Sequence, residues 1–162
     1  MKTTLYLIRH GDYDTDDISQ LTDQGKKQAN EIMDRLSDTG IAHIISSPIS
    51  RVLKTAQPLA MKLNMSVEQN ESFAVYFPDS DEAFGEALEK VVQGLASVTE
   101  NYSGQTIAVF THGFSVGEFL IWIGYGSREE LPVGSVQTGA YAKLVHEDGR
   151  YVVEETYRIE KV

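Results

Sequence analysis

The sequence predicts an α/β protein, built as a three-layer α/β/α sandwich with a mainly parallel sheet and an antiparallel edge from a C-terminal hairpin. Short apolar runs alternate with stretches of helical periodicity as far as Ile123. The rest of the chain holds two strand-like runs separated by a turn. Alternating strands and helices are typical of a parallel sheet that helices cover on both faces. We expect the 162 residues, 41% of them hydrophobic, to form one domain over residues 1–162.

Each element follows from the spacing of its apolar residues. Runs of β-branched and large apolar residues predict strands over residues 3–8, 41–45 and 107–110, and a weaker strand near 65–67. Apolar residues at helical spacing predict helices over residues 22–37, 48–63, 80–99 and 114–123. The hairpin, with its turn at residues 146–149, is predicted from the runs 139–145 and 151–157. We expect this hairpin to pair at one edge of the sheet.

Arg9, His10 and Gly11 directly follow the first predicted strand. Ligands of open α/β sheets bind beyond the carboxyl ends of the strands, so a cation and an imidazole are placed together where chemistry takes place. A guanidinium binds phosphate in a bidentate manner, and an imidazole acts as a nucleophile or an acid–base group near neutral pH. For a motif this short, the alternative is a strand-end turn with a surface arginine and histidine.

A second His-Gly pair follows the strand predicted over residues 107–110. A helix comes after His112 and Gly113, and Ser115 and Glu118 have the spacing of a capping box, which makes Ser115 the predicted N-cap. Backbone N–H groups at a helix N-terminus attract anions. Two His-Gly pairs at the ends of two strands favour a functional site over two structural histidines.

A third motif, Ser46-Ser47-Pro48-Ile49-Ser50-Arg51, follows the second predicted strand. Ser47 before Pro48 predicts an N-cap with proline at the first helical position, which places Arg51 in the first turn. A cation there opposes the helix dipole unless an anion binds nearby. Taken alone, Arg51 is equally well interpreted as a solvent-exposed arginine or as an anion-binding one.

Four motifs lie in order along the chain: Leu7-Ile8-Arg9-His10-Gly11, then Leu21-Thr22 with Gly25 and Gln28-Ala29, then Ser46-Ser47-Pro48 with Arg51 and Thr55-Ala56, then Thr111-His112-Gly113. In this order they resemble the histidine phosphatase superfamily, the phosphoglycerate-mutase-like group. The resemblance spans roughly residues 4–120. In size, and in the Asp12 that follows the first motif, the chain is similar to the short bacterial phosphohistidine phosphatases.

The resemblance implies a phosphatase in which His10 is the nucleophile and forms a phosphohistidine that water then hydrolyses. Arg9 and Arg51 would bind the non-bridging oxygens, where charge builds up in the transition state. Protonated His112 and the Gly113 amide would add further donors to the same oxygens. We expect hydrolysis rather than a mutase reaction, because the chain has little room for the segments with which larger mutases enclose their substrates.

The expected chemistry sets requirements on His10. Its imidazole must be neutral to attack, with the second ring nitrogen donating to a backbone carbonyl, for which Gly11 is a candidate. We expect no metal and no cofactor, because the four histidines of the chain show no metal-ligand spacing. Phosphoryl transfer of this kind depends on positioning and charge stabilisation.

Two positions depart from the pattern of the family. Relatives place a leaving-group acid, a glutamate, where this chain has Val75, and Glu82 is the candidate general acid here. Asp79 and Glu82 also have N-cap and N3 spacing, so helix capping is the alternative role. Asp16 takes the place of a phosphate-binding asparagine, and its carboxylate would favour substrates with a positive group near the phosphate.

Composition narrows the range of partners. The net charge of −10 argues against a nucleic-acid binder, which needs a basic face. No apolar run is long enough to cross a membrane, and the chain enters its first strand at once, so we expect no signal peptide and a cytoplasmic location. The expected ligand is a phosphorylated small molecule or a phosphoprotein. Two alternatives stay open, a mutase on the same machinery and a non-catalytic phosphate-binding module.

Overall fold

The computed structural model describes residues 1–76 and 80–162. Its strands are β1 Thr3–Arg9, β2 His43–Ser46, β3 Val67–Gln69, β4 Thr106–Thr111, β5 Val136–Glu147 and β6 Arg150–Ile159. Its α-helices are α1 Asp23–Leu36, α2 Ser50–Leu63, α3 Asp81–Asn101 and α4 Gly113–Trp122. A short 3-10 helix, Glu71–Phe73, follows β3.

The strands form one mixed sheet in the order β3-β2-β4-β1-β5-β6. The first four strands of that order pair in parallel, β5 pairs antiparallel with β1, and β6 pairs antiparallel with β5. The predicted fold class, including the antiparallel edge from the hairpin, is therefore confirmed. The hairpin turns at Asp148 and Gly149, both of which have positive φ, so His146 lies in β5 and not in the turn as predicted.

Helices cover both faces of the sheet and enclose two apolar cores. One core lies under α1 and α2 and contains Ile32 and Leu59. The other lies under α3 and α4 and contains Leu95 and Phe119. Successive residues of β1 point alternately into the two cores. A central parallel strand is buried on both faces, which explains why β1 is continuously apolar in sequence.

The helices predicted from residues 22 and 80 each begin one residue later, after a hydroxyl side chain that caps them. The Thr22 side chain accepts a hydrogen bond from the Gly25 amide and caps α1. The Ser80 side chain accepts from the Ala83 amide and caps α3. The capping role considered for Asp79 falls outside the described residues, and Ser80 occupies the N-cap position.

The other two helix starts differ from the prediction. The prediction that Ser47 caps α2 is wrong, because the helix begins at Ser50 with Ile49 as N-cap, while the Ser47 hydroxyl accepts from the Ile49 amide before the helix and bonds to His112. Helix α4 begins at Gly113. His112 is its N-cap, and the residue before it, Thr111, is the last residue of β4. The prediction that Ser115 caps α4 is therefore wrong, since Ser115 lies buried inside the first turn.

The parallel register brings the ends of three strands to one edge of the sheet. Arg9 at the end of β1 is paired with Thr111 at the end of β4, and Ser46 at the end of β2 is paired with Phe110. The three motifs that follow these strands therefore meet in space. Among the described residues, no helix combines the length and apolar character that crossing a bilayer demands.

Candidate active site

His10 is held in one orientation at the end of β1. Its ring Nδ1 lies 2.8 Å from the Gly11 carbonyl oxygen, so this nitrogen carries the proton and donates it. Its backbone is fixed from both sides, because its amide donates to Thr111 and its carbonyl accepts from Gly139. The side chain is only 3% exposed. The predicted backbone acceptor is thus the one observed, and the tautomer leaves Nε2 with a free lone pair.

The peptide groups around Gly11 are fixed by buried side chains. The Gly11 amide donates to the Thr55 hydroxyl at 2.9 Å, and that hydroxyl donates to the Arg51 carbonyl at 2.8 Å. The next amide, of Asp12, donates to Gln28 Oε1 at 2.8 Å. The loop after His10 is therefore tied to α1 and α2, and the carbonyl that orients the imidazole belongs to a peptide plane held at both ends.

His112 faces His10 from the end of β4. The two imidazole centroids are 5.5 Å apart in an edge-to-face arrangement. His112 Nε2 lies 3.0 Å from the hydroxyl oxygen of Ser47, and the ring is 5% exposed. Ser47 thus supports His112 from the end of β2, which gives this serine a role in the site beyond the helix start that the sequence predicts for it.

Both imidazoles are neutral in the free protein. Burial, with a smaller contribution from Arg9 and Arg51, lowers the pKa of His10 to about 4, against the opposing effect of the hydrogen bond to Gly11. Burial, His10 and the same two arginines lower the pKa of His112 to about 3. A neutral His10 satisfies the requirement for attack. The prediction that His112 is protonated is wrong for the free protein.

Two arginines border the same space. Arg9 Nη1 donates to the Val136 carbonyl at 2.7 Å, and the Arg51 guanidinium lies 5.0 Å from the centre of the Tyr13 ring. A Cβ at Gly113 would lie 2.9 Å from Arg9 Nε, so the glycine allows the guanidinium to pass the start of α4. The Nε atoms of both arginines are buried and have no hydrogen-bond partner in residues 1–76 and 80–162. Buried unpaired cationic donors are suited to an anion with several oxygens, such as phosphate.

The sequence profile of the histidine phosphatase superfamily (branch 1) matches residues 5–74, the stretch that holds Arg9, His10 and Arg51. Over this stretch, which is less than half of the chain, the protein is similar to the histidine phosphatase superfamily. His112 and Gly113 lie beyond the matched stretch, and the parallel pairing of β4 with β1 brings them to the same site.

Individual relatives carry both phosphatase and mutase names. The chain is 34% identical over 71 residues to the probable phosphoglycerate mutase GpmB of Erwinia tasmaniensis, a match that covers 39% of this chain and about a third (33%) of that protein. It is 24% identical over 156 residues to the phosphatase PhoE of Bacillus subtilis, covering 78% of this chain and 80% of that protein. The phosphoserine phosphatase of Entamoeba histolytica, solved with 3-phosphoglyceric acid, shares the fold at a TM-score of 0.77 and 19% identity, covering 95% and 96% of the two chains.

The candidate site opens into a cavity of about 250 Å³. Its lining includes five of the six residues that the sequence singles out, namely Arg9, His10, Arg51, His112 and Gly113. Glu82 is exposed in the first turn of α3 and does not line the cavity, so its role as general acid stays a prediction. Asp16 is also exposed and outside the lining, and its amide donates to the Asp14 carboxylate.

Sequence reasoning missed three residues that line this cavity. Tyr13 is not among the candidate residues of the sequence analysis, yet its ring contacts both His10 and Arg51. Glu118 and Arg128 form a two-fold hydrogen-bonded ion pair on another wall. An aromatic residue two positions after the His-Gly pair is a local signal for Tyr13. The ion pair joins α4 to the following loop and has no signal in local spacing.

Proposed function

We propose that the protein hydrolyses phosphomonoesters through a covalent phosphohistidine at His10. The observation that carries the proposal is the hydrogen bond from His10 Nδ1 to the Gly11 carbonyl. It directs an unprotonated Nε2 into a cavity that Arg9 and Arg51 also line. A site that only binds phosphate has no need of a neutral, oriented imidazole between two arginines. The phosphatase and mutase names of the relatives support the same class of chemistry.

The reaction takes two displacements at phosphorus. His10 Nε2 attacks, the bond from phosphorus to the ester oxygen breaks, and the electron pair leaves with that oxygen. Water then attacks the phosphohistidine, the P–N bond breaks, and inorganic phosphate and neutral His10 are released. Arg9 and Arg51 stabilise the charge on the non-bridging oxygens during both steps. The buried setting strengthens these interactions because little water competes for them.

His112 is a switchable donor in this proposal. It is neutral in the free protein because burial and two arginines hold its pKa at about 3. A phosphate dianion brings negative charge next to the ring and opposes the effect of the arginines, so its pKa rises when substrate binds. Ser47, at 3.0 Å, keeps the ring in place in both states. His112 then donates to the phosphate oxygens without carrying a permanent buried charge.

Turnover of p-nitrophenyl phosphate tests the proposal, because its leaving group needs little protonation. We expect the wild-type protein to hydrolyse this ester. We also expect peptide mass spectrometry, with samples prepared without acid, to detect a phosphorylated histidine. His10→Ala removes both signals. His43→Ala is the matched control, since His43 stacks on Tyr102 outside the cavity and its loss leaves the site intact.

Two results would contradict the proposal. A folded protein that binds inorganic phosphate but shows neither turnover nor labelling of His10 would be a non-catalytic binding module. Transfer of phosphate from the labelled protein to an added phosphoglycerate faster than to water would indicate a mutase, the activity named for the Erwinia tasmaniensis relative. Glu82→Gln tests the remaining prediction, because loss of a general acid slows esters with poor leaving groups most.

A further inference from the structure

The cavity has two halves of different chemistry. The phosphate half holds Arg9, His10, Arg51 and His112. The apolar half is formed by Val75, Phe114, Leu131, Pro132 and Val133. A phosphoryl group bound by those four side chains leaves the rest of the lining to face the leaving group, and that remainder includes the apolar half together with Tyr13, Glu118, Arg128 and Ser135.

The size of the cavity limits that leaving group. The volume is about 250 Å³. An apolar cavity of about 150 Å³ accepts one benzene molecule, so the space left beside a phosphoryl group is about that of a single ring. Phe114 is the largest side chain of the apolar half, and it is held edge-to-face by Phe84 at 5.1 Å. Its ring is therefore a fixed wall against which a flat apolar group can pack.

The charged residues Glu118 and Arg128 in the lining are paired with each other. Both carboxylate oxygens of Glu118 accept hydrogen bonds from Arg128, and Glu118 is 7% exposed. A carboxylate on the leaving group would have to compete with Glu118 for Arg128 and would meet the negative charge of Glu118. The hydroxyl groups of a sugar would lie against hydrocarbon and lose their hydrogen bonds to water.

Within residues 1–76 and 80–162, Glu118 is the carboxylate that lines the cavity, and both of its oxygens accept hydrogen bonds from Arg128. A carboxylate whose two oxygens are already engaged in this way is not placed to donate a proton to a leaving oxygen. A phenol has a pKa of about 10, whereas an alcohol is a far weaker acid. A phenolate therefore leaves without a proton from the protein far more readily than an alkoxide does.

The geometry points to an aryl phosphomonoester with a single aromatic ring as the substrate, an inference that rests on the proposed phosphatase function. The phosphoryl group binds between Arg9 and Arg51, and the ring packs against the apolar half of the cavity. His10 Nε2 attacks phosphorus, the P–O(aryl) bond breaks, and the electron pair leaves as phenolate, which takes a proton from water. Hydrolysis of the phosphohistidine completes the cycle.

Four esters separate the contributions in one experiment: phenyl phosphate, cyclohexyl phosphate, phosphoserine and 3-phosphoglycerate. We expect kcat/KM for phenyl phosphate to exceed that for 3-phosphoglycerate by at least about a hundredfold. Cyclohexyl phosphate, a ring of similar size with an alkyl oxygen, should have a similar KM and a much lower kcat, because only the leaving group differs. Equal or higher kcat/KM for phosphoserine or 3-phosphoglycerate would overturn the inference.

Variants of the apolar half show whether the wall itself selects the ring. Phe114→Ala should lower kcat/KM for phenyl phosphate about tenfold while inhibition by inorganic phosphate, which uses only the phosphate half, stays unchanged. Val75→Thr, nearly equal in volume, makes the same test if Phe114→Ala does not fold. Trp122→Ala, at the far end of α4 and 53% exposed, is the control with no expected effect. Unchanged phenyl phosphate kinetics in both wall variants would also refute the inference.

The two proposals fail in different ways. If His10 is phosphorylated but charged esters are preferred, the phosphatase proposal stands and the aryl substrate is wrong. If none of the four esters is hydrolysed and His10 is not labelled by any of them, the phosphatase proposal itself is wrong.

Discussion

Gly25→Ala tests how tightly helix α1 packs against the loop that follows the nucleophile His10. Gly25 lies in the first turn of α1, and the loop that follows His10 passes directly over it. A Cβ at this position would lie 2.0 Å from the Asp12 carbonyl oxygen. Because that oxygen belongs to the backbone, a side-chain rotation cannot relieve the contact, and the separation must grow by about 1.5 Å, from 2.0 Å to an ordinary value of roughly 3.5 Å.

The cost follows from opposing contributions. Alanine is favoured over glycine in a helix by about 1 kcal/mol. Displacing Asp12 weakens two hydrogen bonds, from the Thr22 amide to its carbonyl and from its own amide to Gln28, at about 1 kcal/mol each. Overpacking adds about 1–3 kcal/mol. We expect a net destabilisation of about 2–4 kcal/mol, which lowers Tm by roughly 5–15 °C in a chain of this length.

Thermal unfolding and p-nitrophenyl phosphate kinetics measure the two consequences. We expect kcat to fall by about a hundredfold, since Asp12 is joined through its amide to the Gly11 carbonyl that orients His10, and a shift of about 1 Å at a catalytic group has effects of that size. Gly85→Ala is the matched control, because Gly85 is also helical and its Cβ would meet no atom within 4 Å. Only the helix propensity changes there, so Tm should rise slightly and kcat should not change. A Gly25→Ala protein as stable and as active as the wild type would refute the argument.

Two further predictions concern the histidines. Because the pKa of free His10 is about 4, kcat/KM calculated on the concentration of the substrate dianion, which forms with a pKa of about 6, should keep its plateau down to about pH 5 and fall near pH 4; an acid limb near pH 6.5 that persists after this correction would contradict the burial argument. Stability follows the same linkage: the unfolded chain takes up protons near pH 6.5 and the folded chain does not, so urea denaturation should show stability falling as pH drops from about 6.5 towards 4. His112→Gln should lose less stability over this range. Ser47→Ala removes the 3.0 Å contact to His112 and should lower kcat about tenfold with only a few degrees' change in Tm; unchanged kcat would mean that Ser47 does not position the ring.

Local patterns in the sequence were sufficient for the sheet and for the phosphate half of the site. His10, Ser47 and His112 each follow a strand, and strands that run in parallel end at one edge, so chain order alone brings them together. The chemistry also predicts a backbone acceptor for His10, with Gly11 as one candidate, but only the structure shows that the Gly11 carbonyl is the acceptor. These features depend on short-range spacing and on one rule of topology.

The features that the sequence did not reveal depend on contacts between distant segments. Ser115 has capping-box spacing, but only one residue separates β4 from α4. The helix therefore starts at Gly113, two residues before Ser115. His112 looked suited to carry a charge, yet the burial that lowers its pKa exists only in the folded chain. The pairing of Glu118 with Arg128 joins a helix to a loop whose course no spacing rule describes. Tertiary context decided each of these cases.

The two halves of the cavity lie on different parts of the chain, at strand ends and in a connecting segment, and this has a consequence for engineering. Arg9, which we propose binds the phosphoryl group, is fixed by hydrogen-bonded register, because it pairs with Thr111 across the sheet. Leu131, Pro132 and Val133, which line the apolar half of the cavity, belong to the connection between α4 and β5. Grafting a different connection between those two elements would exchange the selectivity of the site for another while leaving the reacting groups in register. A library of such connections, built on the same sheet, can therefore be screened for substrate selectivity with one reaction.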